Sequence, residues 1–260
     1  MKSEAKIKIM EIIWKQNNAA LEIFKAIGKT NNIINILLDE AGLSIMGMDS
    51  SKTTLVQLVL PSSYFSDYHC TEPLEIGVYT NSLVSILSKV KNNQLIWKSS
   101  SSLALSIILK NEIGSTEFKL RCIDVQEDRL DVPELNHNVS LETSSVILTE
   151  ILDKMVMAKS DLKFKIDSQN LKLIADSTEF GVICHEEPLQ NEERFQSNID
   201  QAVCLSFGYN SIQLILNFCK VSKNKLFLGL SSEMPLKLKL NLGDNASMSL
   251  YIAPRIFDDE

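Results

Sequence analysis

The chain has 260 residues, 45% hydrophobic and 23% charged, with a formal net charge of −7, the balance of a globular protein that buries a real core. No apolar run approaches the roughly 20 residues that span a bilayer, and the N-terminal MKSEAKIKIMEIIWK mixes charge through its apolar residues without a small-residue cleavage site, so an intracellular protein is expected. An acidic chain is a poor general binder of nucleic acid unless its positive charges gather on one face.

In chain order, NNAALEIFKAIGKT sets Ala20, Ile23, Phe24 and Ile27 on one helical face. INILLDEAGLSIMGMD reads as two strands around the turn DEAG. MDSSKTTLVQLVL, residues 48–60, then pairs a strand over Leu55 to Leu60 with turn and strand-entry chemistry at Met48-Asp49-Ser50-Ser51. From Tyr79 a second helix carries Leu83, Ile86, Leu87 and Val90, followed by a strand over Leu95 to Trp97 and a solvated strand end, KSSSS. RCIDVQEDRLDVPELNHNVSLE mixes acidic residues with a proline and has no helical period, the character of an extended surface linker. TSSVILTEILDKM restores helical spacing through Ile147, Leu148, Ile151, Leu152 and Met155, with Ser144 or Thr143 as N-cap. A fourth helix, after Tyr209, carries Ile212, Ile215, Leu216 and Cys219 and leads into a strand over Leu226 to Leu228.

The two halves repeat one another. Asn81-Ser82 and Asn210-Ser211 lie 129 residues apart, and the apolar positions of the helices they open keep that spacing. Upstream, Leu43, Ile45 and Met46 answer Leu171, Leu173 and Ile174, with Asp49-Ser50 echoed near Asp176-Ser177. Two matched blocks in the same order indicate a duplication of about 125 residues. The expected fold is α+β: two similar domains, each an antiparallel sheet layer with two helices on one side. The expected division is residues 1–121, a connector at 122–137, and residues 138–260.

Catalytic constellations are not evident. The nine glycines form no phosphate loop, and the three histidines, His69, His137 and His185, have no ligand spacing. The five cysteines, Cys70, Cys122, Cys184, Cys204 and Cys219, form no Cys-x-x-Cys, so no metal, redox pair or cofactor is expected. Cys184-His185 in a strand would point to opposite faces. Asp49 with Ser50 has no histidine or lysine specified to activate the serine. The chain is not expected to be an enzyme.

Four ordered motifs carry a resemblance. MDSSKTTLVQLVL, YFSDYHCTEPLEIGVYTNSLVSIL, LDVPE at 130–134 and EMPLKLKL with the final LYIAPRIFDDE are similar to segments of the proliferating cell nuclear antigen family, the eukaryotic-type sliding DNA clamps. The resemblance runs from about residue 10, leaving residues 1–9 as an extension. It implies the DNA clamp fold with the helices on the inner side. It implies a ring-forming processivity factor for DNA polymerase, loaded by an external clamp loader, and a docking platform for replication and repair proteins. The expected assembly is a head-to-tail homotrimer encircling double-stranded DNA, in the nucleus or at a cytoplasmic viral replication site.

The resemblance further implies a partner-peptide pocket of Met48, Lys52, Thr53, Leu55, Leu130, Val132, Pro133, Met234, Pro235, Tyr251, Ile252, Ala253, Pro254 and Ile256, with Lys52 where the family usually has histidine. Pairing edges are expected around Gly114 to Lys119 and Ala175 to Ile183, through Thr116, Phe118, Phe180, Val182 and Ile183. DNA-facing positions would be Lys25, Lys29, Lys89, Lys91, Lys154, Lys220 and Lys223. That face departs most from the family: Gly28, Ser85, Ser88 and Gln213 replace common basic positions, and Glu22 and Glu150 add negative charge. The thin basic face motivates a second reading, a divergent or viral clamp-fold protein acting as a monomeric or dimeric processivity factor or a transcription scaffold.

Overall fold

The computed structural model describes residues 9–125, 132, 136–232 and 234–255. The chain divides into two compact units, one drawn from Met1–Ser50, Val56–Leu130 and Gly243–Ser247, the other from Ser51–Leu55, Asp131–Leu242 and Met248–Glu260.

The first half supplies β1 (Met10–Trp14), α1 (Asn17–Ile27), β2 (Ile33–Asp39), β3 (Gly42–Met48), β4 (Thr54–Pro61), β5 (Phe65–Cys70), β6 (Leu74–Tyr79), α2 (Thr80–Leu87), β7 (Gln94–Ser99), β8 (Ala104–Lys110) and β9 (Ser115–Arg121). The second supplies β10 (Val139–Ser144), α3 (Ser145–Met155), β11 (Leu162–Ile166), β12 (Asn170–Ser177), β13 (Gly181–Pro188), β14 (Phe195–Ile199), β15 (Val203–Phe207), α4 (Tyr209–Cys219), β16 (Lys225–Ser231), β17 (Met234–Gly243) and β18 (Ala246–Ile252). Strands run in the orders β5-β1-β7-β8-β9 and β6-β2-β3-β4 in the first half, and β14-β10-β16-β17-β18 and β15-β11-β12-β13 in the second. Each strand of one half has a counterpart nine strands later, in the same neighbourhood. The duplication is therefore topological as well as sequential.

Turn chemistry repeats too. Asp39 Oδ1 accepts hydrogen bonds from the Ala41 and Gly42 amides, 2.8 and 3.2 Å away, closing the β2–β3 hairpin. Asp167 Oδ1 does the same for Gln169 and Asn170, at 2.8 and 2.9 Å, between β11 and β12. Such Asx turns replace a backbone acceptor with a carboxylate, and the two amides hold the Asp167 carboxyl below its ordinary range. Gly42 has φ +148°, and a Cβ there would stand 2.2 Å from the Leu60 carbonyl oxygen. No side chain fits that approach.

The helices follow their apolar spacing. Ala20, Ile23, Phe24 and Ile27 of α1 are buried, as are Leu148, Ile151, Leu152 and Met155 of α3. Ser144 caps α3, its side chain accepting from the Val146 amide at 3.2 Å. α1 lies beside α2, and α3 beside α4. In the first unit the core centres on Trp14, whose ring meets Phe65 and Trp97 edge-on at 5.1 and 5.2 Å. In the second, Phe164 and Phe207 meet at 5.4 Å. Aromatic pairs of this geometry add to the area they bury. Cys219 is a buried thiol whose pKa desolvation pushes up to about 12, whereas Cys184 and Cys204 are exposed.

Two readings of the sequence need correction. The last residues of the linker stretch, Val139 to Glu142, are strand β10, because Val139 and Leu141 are wholly buried. Ala175 to Ser177 cannot be an open edge: they belong to β12, whose Ala175 pairs with Leu162 on one side and Ile183 on the other. Its backbone groups are already taken.

Candidate functional site

The β3–β4 connection holds the MDSS motif. Met48 ends β3, Thr54 opens β4, and Lys52 between them adopts a left-handed backbone with φ 58°. The Ser51 and Thr53 hydroxyls lie 2.8 Å apart. This is turn chemistry. Its Thr53 carbonyl accepts from the Ala253 amide at 2.9 Å, so the segment after β18 lies against residues 51–55 in the second unit.

That C-terminal segment is held at a second point. The Arg255 amide donates to the Ser206 carbonyl at 2.8 Å, and its guanidinium pairs with Asp161 at 2.5 Å. A Cβ on Gly208 would stand 3.2 Å from the same guanidinium. The sequence does not single out Arg255 and Gly208, which lie 47 positions apart and meet only once the intervening chain has folded.

Of the expected pocket residues, Lys52, Thr53, Leu55, Val132, Met234, Pro235, Tyr251, Ile252, Ala253 and Pro254 fall in the second unit and are described. Met48 falls in the first unit, where its carbonyl accepts from Asn31 Nδ2 at 3.0 Å. Leu130, Pro133 and Ile256 lie outside the described residues. Ile252 is 1% exposed and sits on the core side of β18 with Met248 and Leu250. Strand alternation leaves Tyr251 on the outer side. Tyr251 is itself 7% exposed, and Lys237 Nζ stands 5.6 Å from its ring centroid. Burial pushes its phenol pKa up, against a hydrogen bond with Ser249 that lowers it. Leu55 is nearly buried, and Pro235 and Ala253 are exposed. Of the second-unit residues in this set, Lys52, Thr53, Pro235 and Ala253 are exposed, and Tyr251 is the one aromatic.

The edge candidates divide cleanly. Thr116 and Phe118 lie in β9 and Val182 and Ile183 in β13, strands that each have one neighbour in their sheets. Phe180 sits in the β12–β13 turn. Phe180 and Val182 are 51% and 66% exposed, an open apolar edge of the kind that recruits another strand.

All seven candidate DNA-facing lysines are exposed, but they gather at helix ends. Lys25 and Lys154 occupy last turns, and Lys29, Lys89, Lys91, Lys220 and Lys223 follow helix C-termini. Cations there complement the helix dipole. Lys25 pairs with Glu22 at 2.9 Å and Lys220 with Asp153 at 3.2 Å. The remaining five have no ion-pair partner among the described residues.

The candidate catalytic groups do not assemble. Cys184 is exposed on β13, while the neighbouring His185 turns to Glu187, 3.3 Å away, which is also held by Arg194 at 2.6 Å. Among the described residues no group of His, Cys, Asp and Glu has metal-binding geometry. A polar concavity of about 350 Å³, lined by Gln16, Asn17, Asn18, Ala19, Val90 and Asn92, borders none of the expected pocket residues.

Comparison with known proteins bears on the fold and the family resemblance. Residues 9–129 match the family model "Proliferating cell nuclear antigen, N-terminal domain". The chain is 28% identical over 243 residues to the DNA polymerase sliding clamp of Methanobrevibacter smithii, covering 91% of this chain and 94% of that one. It is 25% identical over 262 residues to proliferating cell nuclear antigen of Chaetomium thermophilum, covering 97% and 100%. The crystal structure of the Entamoeba histolytica antigen superposes with a TM-score of 0.85 at 20% identity, over 96% of this chain and all of that one. Among the described residues each half supplies nine strands and two α-helices in one topology, and the chain is similar along nearly its whole length to proliferating cell nuclear antigen and DNA polymerase sliding clamps, with its first half matching the N-terminal domain of that family.

Proposed function

We propose that this chain is a sliding DNA clamp, a processivity factor for DNA polymerase that closes into a head-to-tail homotrimer around double-stranded DNA and docks replication and repair proteins. The observation that carries the reading is full-length similarity to DNA polymerase sliding clamps, combined with two open edges of different identity, β9 in one unit and β13 in the other. Unlike edges join heterologously, and such contacts close into a ring when the rotation permits. The mechanism is topological linkage and peptide docking, without a catalytic step. An external loader opens the ring, and the nucleus, or a cytoplasmic viral replication site, is the place of action. Processive synthesis by a cognate polymerase, with and without this protein and a loader, is the direct test. No gain in product length would sink the reading.

The sparse, partly self-paired lysines favour weak contact with the duplex, which suits sliding. They also keep the second reading in view, a monomeric or dimeric factor; light scattering separates the two. Removing the carboxylate that holds Lys220 frees a cation for phosphate. Asp153→Asn is expected to tighten duplex binding roughly severalfold at low salt and steepen its salt dependence. Fluorescence anisotropy across a salt series measures both, and an unchanged slope would remove Lys220 from the DNA face.

A further inference from the structure

The outer face of β10, β16, β17 and β18 carries a cluster that the pocket reading does not use. Gly229 pairs across strands with Ser140 and Lys237, and Phe227 with Glu142 and Lys239. Gly229 leaves bare backbone on which the His137 imidazole rests, for a Cβ there would come within 2.6 Å of the ring. The ring meets Phe227 at 6.3 Å, and its Nε2 stands 3.4 Å from the Pro235 carbonyl oxygen. One column further, Lys237 caps the Tyr251 ring. The result is an aromatic floor crowned by two ammonium groups and an imidazole.

Its charge is out of keeping with the rest of the chain. These strands present Lys225, Lys237 and Lys239 outward against Glu142, in a protein of net charge −7. Neither Lys237 nor Lys239 has a carboxylate partner among the described residues. An ammonium lying on an aromatic face has given up water on that side, so an incoming carboxylate restores donors' partners at small desolvation cost.

We propose that this patch docks the acidic flank of a partner peptide, Asp or Glu residues next to the apolar anchor that enters the Tyr251 groove. The proposal rests on the peptide-docking reading and names the partner class for that site. Continuity carries it: Lys237 touches the groove's aromatic anchor, and Lys239 lies two residues further along the same face, about 7 Å away.

The test uses the full chain and three fluorescent peptides that share one aromatic-aliphatic anchor and differ in a flank of Asp/Glu, Asn/Gln or Lys/Arg. The acidic peptide is expected to bind about tenfold more tightly than the basic one at low salt, the gap closing in high salt. K237Q with K239Q is expected to erase the gap while leaving the neutral peptide within about twofold; a melting curve confirms that the variant is folded. Equal binding of all three peptides to the unaltered protein, or a gap that survives K237Q/K239Q, overturns the proposal. Tyr251→Ala separates the two levels of failure. If it weakens every peptide while flank charge has no effect, the groove stands and the acidic preference falls. If it weakens none, the groove reading fails and takes the proposal with it.

Discussion

Replacing Phe180 and Val182 together by aspartate is expected to convert the proposed homotrimer to monomers at micromolar concentration without lowering the melting temperature of the single chain. Both side chains are more than half exposed, at 51% and 66%, so neither supports the core. In a ring they would lie against the edge of the next subunit's β9, where Thr116 and Phe118 stand. Losing a buried apolar anchor at such an interface costs roughly 1–3 kcal/mol, and a carboxylate left there without a partner adds a desolvation penalty of similar order. The pair therefore weakens association by about two to four orders of magnitude. Light scattering at several concentrations reads the mass directly. A mass that stays at three chains would remove β13 from the interface, and a mass of one chain before substitution would remove the ring.

Tyr251→Ala is expected to weaken a clamp-binding peptide by roughly 1–3 kcal/mol, as truncation of a central aromatic anchor does. The phenol lies on the outer side of β18, opposite the core row of Met248, Leu250 and Ile252. Its removal also strips Lys237 of the ring that it covers. Fluorescence titration gives the affinity, and thermal unfolding checks that the substitution acts on binding and not on the fold. Ile252 provides the contrast: at 1% exposure it is a core residue, and Ile252→Val is expected to cost about 1 kcal/mol of stability with peptide affinity unchanged. Identical affinity for the unaltered protein and Tyr251→Ala would place the peptide site elsewhere.

Periodicity carried most of the fold. The spacing of Ala20, Ile23, Phe24 and Ile27, and of Leu148, Ile151, Leu152 and Met155, is a direct image of which helix face is buried, so these helices were legible residue by residue. The DEAG turn was legible because Asp39 acts on amides two and three residues away. The candidate site was legible in part. Alternation in EMPLKLKL already places Pro235, Lys237 and Lys239 on one face. That Lys237 covers Tyr251 was not visible, because the two residues come from different strands. Ile252 was included in the pocket through resemblance alone, and alternation along β18 puts it in the core. The lysines were assigned to helix faces, yet most follow helix ends, where dipole complementarity attracts cations.

By itself the sequence determined the helices, the hairpin turns and the absence of recognisable catalytic motifs, since each of these depends on residues a few positions apart, and it determined the duplication because the same local patterns recur in the same order. Only the tertiary structure decided which strands are edges, which lysines are held by carboxylates, and which groups meet over Gly229 and Gly208. Open edges depend on sheet order, and sheet order is a long-range property: β13 is an edge because β12 is its one neighbour in the sheet. Lys220 is neutralised by Asp153, 67 residues away in the chain. Arg255 reaches Asp161 only once the second unit has folded around both. Local spacing encodes what a segment becomes, and folding decides what it touches.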